Sequence, residues 1–183
     1  MRLKLFSLFS LLILFTKAQF PEFISNTNSN DSFNSALFSK TFKNFDFILA
    51  YKIYSNGKYT YKLLGNSNKV WKKIEFSFDP GSKKIKQKKE ISNQSQDTLK
   101  RIVSKFSEKK FWNLENDSLN IKYFIFPDSS VTVVRIQDCF SETFEIFSKK
   151  LFRIENVECP DGYSEAFPGN RQLKTFIECR DIF

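Results

Sequence analysis

The sequence contains no histidine, and this absence excludes several common chemistries. Ser-His-Asp and Cys-His nucleophilic sites both need an imidazole base that titrates near neutral pH. Zinc sites built on imidazole are excluded for the same reason. Glycine is also scarce, with five in the chain, and no glycine-rich phosphate loop is present. We therefore expect no metal, no cofactor and no enzymatic activity.

Long apolar runs are missing as well, apart from a short one at the start of the chain. Arg2 and Lys4 precede the apolar run 5–15, and Thr16-Lys17-Ala18 then offers small residues for a cleavage site. This layout is typical of a secretory signal peptide, because a membrane span needs roughly 20 apolar residues. We predict a signal peptide at 1–18, no membrane span after its removal, and a periplasmic or secreted protein. A retained anchor is the alternative.

Cysteine is limited to three residues, and none of them forms a C-x-x-C pair. In an oxidising compartment, three cysteines indicate one disulfide and one remaining thiol. Cys139 and Cys159 lie just past two predicted strands that end on the same side of a meander, so we predict that they are bonded. The alternative, Cys159–Cys179, would tie down the last helix. Cys179 is otherwise a buried apolar residue or a thiol available to a partner.

The first half of the chain has the pattern of an antiparallel meander. Residues 19–36 are polar and rich in Asn and Ser, which predicts a flexible arm before a single domain at 37–183. Asn56-Gly57 favours a type I′ turn between two strands. Further breaks are predicted at Gly65-Asn66 and at residues 79–81. The four predicted strands are 45–54, 58–64, 70–78 and 83–91.

The hydrophobic period then changes to that of a helix. Leu99, Ile102, Val103 and Phe106 recur at the spacing of one helical face. We expect Asn93 to cap this helix, with Gln96 three residues on. The apolar segment 111–114 follows at once and is interpreted as the exit of the helix onto the sheet.

Strands resume in the second half and a helix closes the chain. Predicted strands lie at 119–126, 131–136, 142–147 and 151–157, with turns at 127–128 and 160–162. Asn170 is expected to cap the final helix. The order predicts an α+β fold, in which an antiparallel meander sheet packs against one central amphipathic helix and a C-terminal helix.

This order of elements resembles a type of small exported protein found in Bacteroidetes-like bacteria. The likeness rests on the Asn56-Gly57 hairpin, the amphipathic helix, Phe111-Trp112-Asn113-Leu114, the Asp128 turn and the end of the leader at Ala18-Gln19. Because proteins of that type have no assigned activity, the resemblance implies a periplasmic location and no particular function.

Positive charge is concentrated in the middle of the chain. Residues 69–110 hold thirteen basic and five acidic side chains, whereas residues 111–183 hold eight and twelve. Five of the lysines lie between positions 83 and 89. Strict alternation along a strand would place Lys84, Lys86 and Lys88 in water and turn Ile85 towards the core. Such a strand is either a handle for an anionic ligand or a lysine-protected sheet edge.

Three functional hypotheses follow from these patterns. The leading one is an exported, non-enzymatic interaction or envelope-associated module of unknown ligand. The first alternative is a polyanion-binding module that uses Lys84, Lys86, Lys88, Lys100 and Arg101. Its partner would be an anionic envelope glycan or lipid, whereas the leading hypothesis also admits another envelope protein. The second alternative is a glycan hydrolase built on the carboxylates of the last third, which we otherwise expect to lie on a solvated strand face.

Overall fold

A computed structural model describes residues 20–26, 40–82, 84–148 and 151–183. The predicted signal peptide therefore lies outside the described residues, as does most of the predicted arm. In the described part, six strands form one antiparallel sheet and helices pack on it, which confirms the α+β class. None of the helices in these ranges is both long and apolar enough to cross a membrane.

The main sheet has the strand order β4-β3-β2-β1-β7-β8. The predicted four-stranded meander is confirmed, and β7 and β8 extend it from the other side of β1. A separate two-stranded sheet, the ribbon, consists of β5 and β6. The strands are β1 (Phe47–Ser55), β2 (Lys58–Ser67), β3 (Val70–Asp79), β4 (Lys84–Ile91), β5 (Tyr123–Ile125), β6 (Val131–Val133), β7 (Ser141–Ser148) and β8 (Leu151–Glu158).

The predicted break at Gly65-Asn66 is wrong, because β2 continues through both residues to Ser67. Asn66 pairs with Phe47 on one side and Trp71 on the other, and its side chain is buried. Glycine is needed at position 65 because the ring of Phe45 lies over it. A Cβ atom there would stand 2.5 Å from that ring.

We expect Gly65→Ala to lower the free energy of unfolding by about 1–3 kcal/mol, because the added methyl group displaces the Phe45 ring. Chemical denaturation at equilibrium would measure this loss. Gly169→Ala is the matched control, since a Cβ at that position meets nothing within 4 Å. Equal stability of the Gly65→Ala variant and the wild type would contradict the packing described at Phe45.

The helices between residues 96 and 182 lie on one face of the main sheet, called the helical face below. The first begins after Ser95, whose side chain accepts a hydrogen bond from the Thr98 amide, so the predicted Asn93 cap is wrong. The Gln96 side chain instead binds both the amide and the carbonyl of Trp71, at 2.7 and 2.9 Å. The helices are α1 (Gln96–Glu108), a 3₁₀ turn (Phe111–Asn113), α2 (Asn116–Leu119), α3 (Pro160–Ala166) and α4 (Arg171–Ile182).

Two other predicted elements are corrected. The predicted strand 119–126 is shared between the end of α2 and β5, and β6 ends at Val133 rather than at residue 136. Residues 160–162 begin α3 instead of forming a turn, with Pro160 in the first helical position, where a missing amide hydrogen costs nothing. The predicted Asn170 cap of the last helix is confirmed by its acceptance of the Leu173 amide at 3.0 Å.

Apolar side chains pack on both faces of the main sheet. The larger cluster lies on the helical face and joins Phe47, Leu49 and Phe144 to the inner sides of the helices. The smaller cluster lies on the opposite face and includes Ile48 and Phe76. The sheet is therefore buried on both sides along β1, where all five residues 47–51 are buried.

The predicted disulfide between Cys139 and Cys159 is confirmed, with Cα atoms 5.2 Å apart. The predicted three-stranded meander behind it is not present, because β6 belongs to the ribbon. The two residues meet because Cys159 directly follows β8, and the carbonyl of Phe140, the neighbour of Cys139, accepts the Cys159 amide at 3.0 Å. Cys179 is the remaining thiol; it is buried, and burial raises its pKa to about 12.

Residues 20–26, which fall within the predicted arm, pack against the domain. Phe20 stacks on Phe47, and Phe23 is buried in the larger cluster. Ser25 donates to the Phe152 carbonyl at 2.5 Å, and Asn26 exchanges two hydrogen bonds with the backbone of Ile154. This segment therefore runs along the outer edge of β8.

Candidate functional site

The ribbon carries an unusual amount of exposed apolar surface. One of its faces is formed by two cross-strand pairs, Tyr123 with Val133 and Ile125 with Val131. These four side chains are 50–67% exposed. Alternation turns Phe124 to the other face, where its ring stacks on Phe167 at 4.4 Å and fixes the ribbon to the domain. The ribbon therefore exposes one apolar face to solvent, and the contact between Phe124 and Phe167 holds the ribbon against the domain.

The edges of the ribbon are open as well. Phe126 donates to Ser130 and Val134 donates to Lys122, so these are the hydrogen-bonded pairs of the ladder. Because such pairs alternate, Tyr123 and Ile125 direct their amides and carbonyls away from β6. Within the described ranges no strand pairs with that edge of β5. The edge thus exposes both backbone hydrogen-bonding groups and apolar side chains.

A cleft of about 500 Å³ lies next to β5. Ile121 and Phe124 line this cleft on the side of the ribbon. Phe167, Pro168 and Arg171, which follow the end of α3 and lead into α4, line its other side. A strand added to the edge of β5 would alternate its side chains between the apolar outer face and this cleft. The cleft is thus placed to receive every second side chain of such a strand.

The edges of the main sheet are protected, in contrast to those of the ribbon. On β8, side-chain amides replace a neighbouring strand: Asn116 contacts the backbone of Ile154 and Asn156, and Asn120 donates to the Asn156 carbonyl at 2.8 Å. On β4, exposed lysines and a bulge at Gln87, whose φ is 54°, disfavour pairing with another chain. The lysine-rich strand β4 lies at an edge of the main sheet.

The structure does not bring the predicted lysine ligands together on one surface. The bulge interrupts the expected alternation, so Lys84 and Lys86 lie on the helical face whereas Lys88 lies over the Phe42 ring on the opposite face. Lys100 lines a groove with Phe20 and Trp71, and Arg101 is exposed on α1. Lys89 takes the position that strict alternation assigns to Lys88, because it pairs with Glu75.

Three carboxylates of β7 and β8 are buried, so the expectation of a solvated strand face is wrong for Glu142, Glu145 and Glu155. Each contacts a cation of the chain. Glu145 meets Lys52 at 2.5 Å on the opposite face, and Glu142 meets Arg180 at 3.4 Å on the helical face. These strands are covered on both sides, which leaves little room for solvated acids.

The third buried carboxylate, Glu155, accepts a hydrogen bond from Arg153. Arg153 also donates to the Leu114 carbonyl and to the Ile24 carbonyl, and thus joins β8 to the N-terminal segment. Burial raises the pKa of Glu155 to about 7 despite the neighbouring guanidinium. Burial likewise raises the pKa of Glu142. The pKa of the Tyr51 phenol is raised by burial and by the neighbouring Glu142.

Among the residues that the structure describes, no group of three or more Cys, Asp and Glu side chains is placed to hold a metal ion. Comparison of the chain with family models, with curated proteins and with solved structures finds no match. The surfaces of the chain itself therefore provide the functional evidence.

Sequence reasoning missed the ribbon as a functional site. Its residues have the pattern of two ordinary strands of the main sheet, and the apolar side chains of such strands normally pack in a core. The signal that was available is the shortness of the segments on either side of Pro127-Asp128, combined with apolar residues on both of them. Exposure of those residues depends on which strands pair, and the local pattern does not contain that information.

Proposed function

We propose that the protein is an exported, non-enzymatic interaction module that binds an extended segment of another envelope protein along the β5 edge of the ribbon. The observation that carries this proposal is the open β5 edge, where free backbone groups lie between the exposed side chains of Tyr123 and Ile125. Peptide recognition by strand addition uses this combination of main-chain hydrogen bonds and alternating side-chain sites.

Export is supported by the leader-like residues 1–18 and by the Cys139–Cys159 disulfide, since such bonds persist in oxidising compartments. A binding role instead of catalysis is supported by the absence of histidine and by the pairing of the buried carboxylates with Lys52, Arg153 and Arg180. These carboxylates are engaged in ion pairs inside the fold, which gives them a structural role.

The partner is expected to be an extended peptide with apolar residues at alternate positions. A two-stranded ribbon is marginal in water, and a third strand with an apolar face stabilises it. Side chains at every second position of the peptide would cover Tyr123 and Ile125. The side chains between them would reach the cleft beside Phe124. The side chains of Asn26, Asn116 and Asn120 close the β8 edge of the main sheet to such a peptide, and exposed lysines disfavour its addition at the β4 edge.

A fluorescently labelled synthetic peptide that alternates valine with threonine provides the test. We expect wild-type protein to raise its fluorescence anisotropy, and we expect Ile125→Pro to lower the affinity about tenfold or more. Proline removes the amide hydrogen that points to the open edge while the β5–β6 hydrogen bonds remain. The fraction of peptide bound is measured as a function of protein concentration.

Val131→Pro is the matched control, because it removes the outward amide hydrogen of β6 and leaves the β5 edge intact. This variant should bind the peptide as the wild type does. Equal loss in both variants, or wild-type binding that survives a proline at the centre of the peptide, would refute strand addition at β5. Concentration-dependent self-association abolished by Ile125→Pro would instead identify a second copy of the chain as the occupant.

A further inference from the structure

The helical face of the main sheet is only partly covered by helices, and its uncovered part is strongly basic. Register places the side chains of β2, β3 and β4 on this face at positions that alternate along each strand. Six of these positions hold lysine, and the set is called the cationic face: Lys58, Lys62, Lys73, Lys84, Lys86 and Lys89.

Few acidic groups balance these lysines. Glu75 and Asp79 are the carboxylates at the same strand positions. Asp79 is engaged by Lys86 at 3.2 Å, and this contact lowers the pKa of Asp79 to about 2. Lys73 lies at the covered end of the face, where its ammonium group donates to the Phe183 carbonyl at 2.7 Å, and burial together with the nearby Lys62 lowers its pKa. The face therefore retains a net positive charge.

The bulge in β4 places Lys89, and not Lys88, on this face. Gln87 adopts a positive φ, and the register shifts between Ser77 and Glu75 of β3. As a result Lys86 and Lys89 lie on the same side of the sheet, although three positions separate them. Unbroken alternation would have turned Lys89 to the opposite face. The bulge thus adds a charge to a row that already contains Lys84.

We infer that the cationic face binds a linear acidic polysaccharide. Lysines two positions apart on a strand are about 6.7 Å apart, and neighbouring strands are about 4.8 Å apart, so the ammonium groups form a grid along which a polyanion can lie. This site is separate from the ribbon, and its existence does not depend on the peptide partner proposed above.

The surroundings favour a polysaccharide over other anionic partners. The adjacent helices stand about 10 Å above the sheet, so a flat membrane would contact them before it reached the lysines. Single-stranded nucleic acids stack on exposed aromatic side chains, whereas Trp71, the aromatic residue at the β2–β4 strand positions of the helical face, is buried in the larger apolar cluster. Tyr54 and Tyr59 pack against each other, with ring centroids 4.8 Å apart, on the opposite side of the sheet. Recognition here is by charge and polar contact.

The test compares two double variants that remove the same charge. Lys84→Gln/Lys89→Gln removes exposed lysines from the cationic face, whereas Lys88→Gln/Lys100→Gln removes two lysines that lie elsewhere. Binding to polygalacturonate is titrated at low and at moderate salt. We expect the first variant to lose affinity about tenfold and to show a weaker salt dependence, because screening acts on fewer contacts. The second should remain within about twofold of the wild type.

Three results would overturn the inference. Equal losses of polygalacturonate affinity in the two double variants would show that binding depends on the net charge of the protein and not on the cationic face. Binding of oligothymidine as tight as that of polygalacturonate would assign the face to nucleic acid, and tighter binding of vesicles containing phosphatidylglycerol would assign it to a membrane. Val-Thr peptide binding by the Lys84→Gln/Lys89→Gln variant stays unchanged if the two sites are separate, which distinguishes this inference from the proposed function.

Discussion

Phe144→Ala is expected to lower the free energy of unfolding by about 3–5 kcal/mol, which is the usual cost of removing a fully buried phenylalanine ring. Phe144 is completely buried on β7, at the centre of the larger apolar cluster. Its ring is within contact of five others, with centroid distances of 4.9–5.9 Å: those of Tyr51, Phe106, Phe111, Phe176 and Phe183.

The large effect follows from the position of Phe144 between layers. Phe106 belongs to α1, Phe111 to the 3₁₀ turn and Phe176 to α4, so one ring joins three helical elements to the sheet. Phe140→Ala is the control, because this ring is 56% exposed and its loss should change stability by less than about 0.5 kcal/mol. Urea denaturation followed by tryptophan fluorescence measures both variants, and similar midpoints would contradict the described core.

Arg153→Met is expected to cost about 3–5 kcal/mol of stability at pH 8, because it leaves the Glu155 carboxylate buried without its cation. At pH 5 the cost should be smaller by about 1 kcal/mol or more, since Glu155 is then neutral in both proteins. The comparison requires denaturation curves of the variant and the wild type at both pH values.

The direction of this pH effect follows from the pKa of Glu155. Burial raises it from 4.5 to about 7, so the folded protein holds the proton more tightly than the unfolded chain does. The associated stability is complete below about pH 4.5 and is lost as the pH rises to 7. In the wild type, the free energy of unfolding falls by about 3 kcal/mol at most over this pH range because of Glu155. The Glu155→Gln substitution should abolish this contribution to the pH dependence of stability.

An exposed ion pair serves as the control for Arg153. Lys72 contacts Glu90 at 3.0 Å, and both side chains are more than 40% exposed. Lys72→Met should therefore cost less than about 1 kcal/mol, with no difference between pH 5 and pH 8. A pH-independent loss in Arg153→Met would show that its hydrogen bonds to Leu114 and Ile24, and not its charge, account for the effect.

Local patterns in the sequence predicted most of the main sheet and its principal helices. Asn56-Gly57 defined the first hairpin, the spacing of Leu99 and Phe106 defined the face of α1, and Asn170 defined the start of α4. The errors occurred where a tertiary contact overrides the local signal. The Phe45 ring over Gly65 keeps β2 extended, and the Gln96 contact with Trp71 moves the helix start to Ser95.

The candidate surfaces were less predictable than the fold. The place of Lys89 on the cationic face depends on a single bulge at Gln87, and the lysine run carries no sign of where the strand shifts register. Exposure of the ribbon depends on β7, and not β6, pairing with β1. Burial of Glu145 and Glu155 depends on cover from both faces of the sheet. Each of these features is set by residues far away in the chain.

The contact between residues 20–26 and β8 has a consequence for how the chain matures. Asn26 closes the edge at Ile154, which lies 128 positions later, and β1 cannot gain its neighbour β7 until most of the chain exists. Such distant pairings form slowly, because the intervening loop must close first. The main sheet therefore cannot be completed beside β1 until β7 has been synthesised, although all five residues 47–51 are buried in the finished fold.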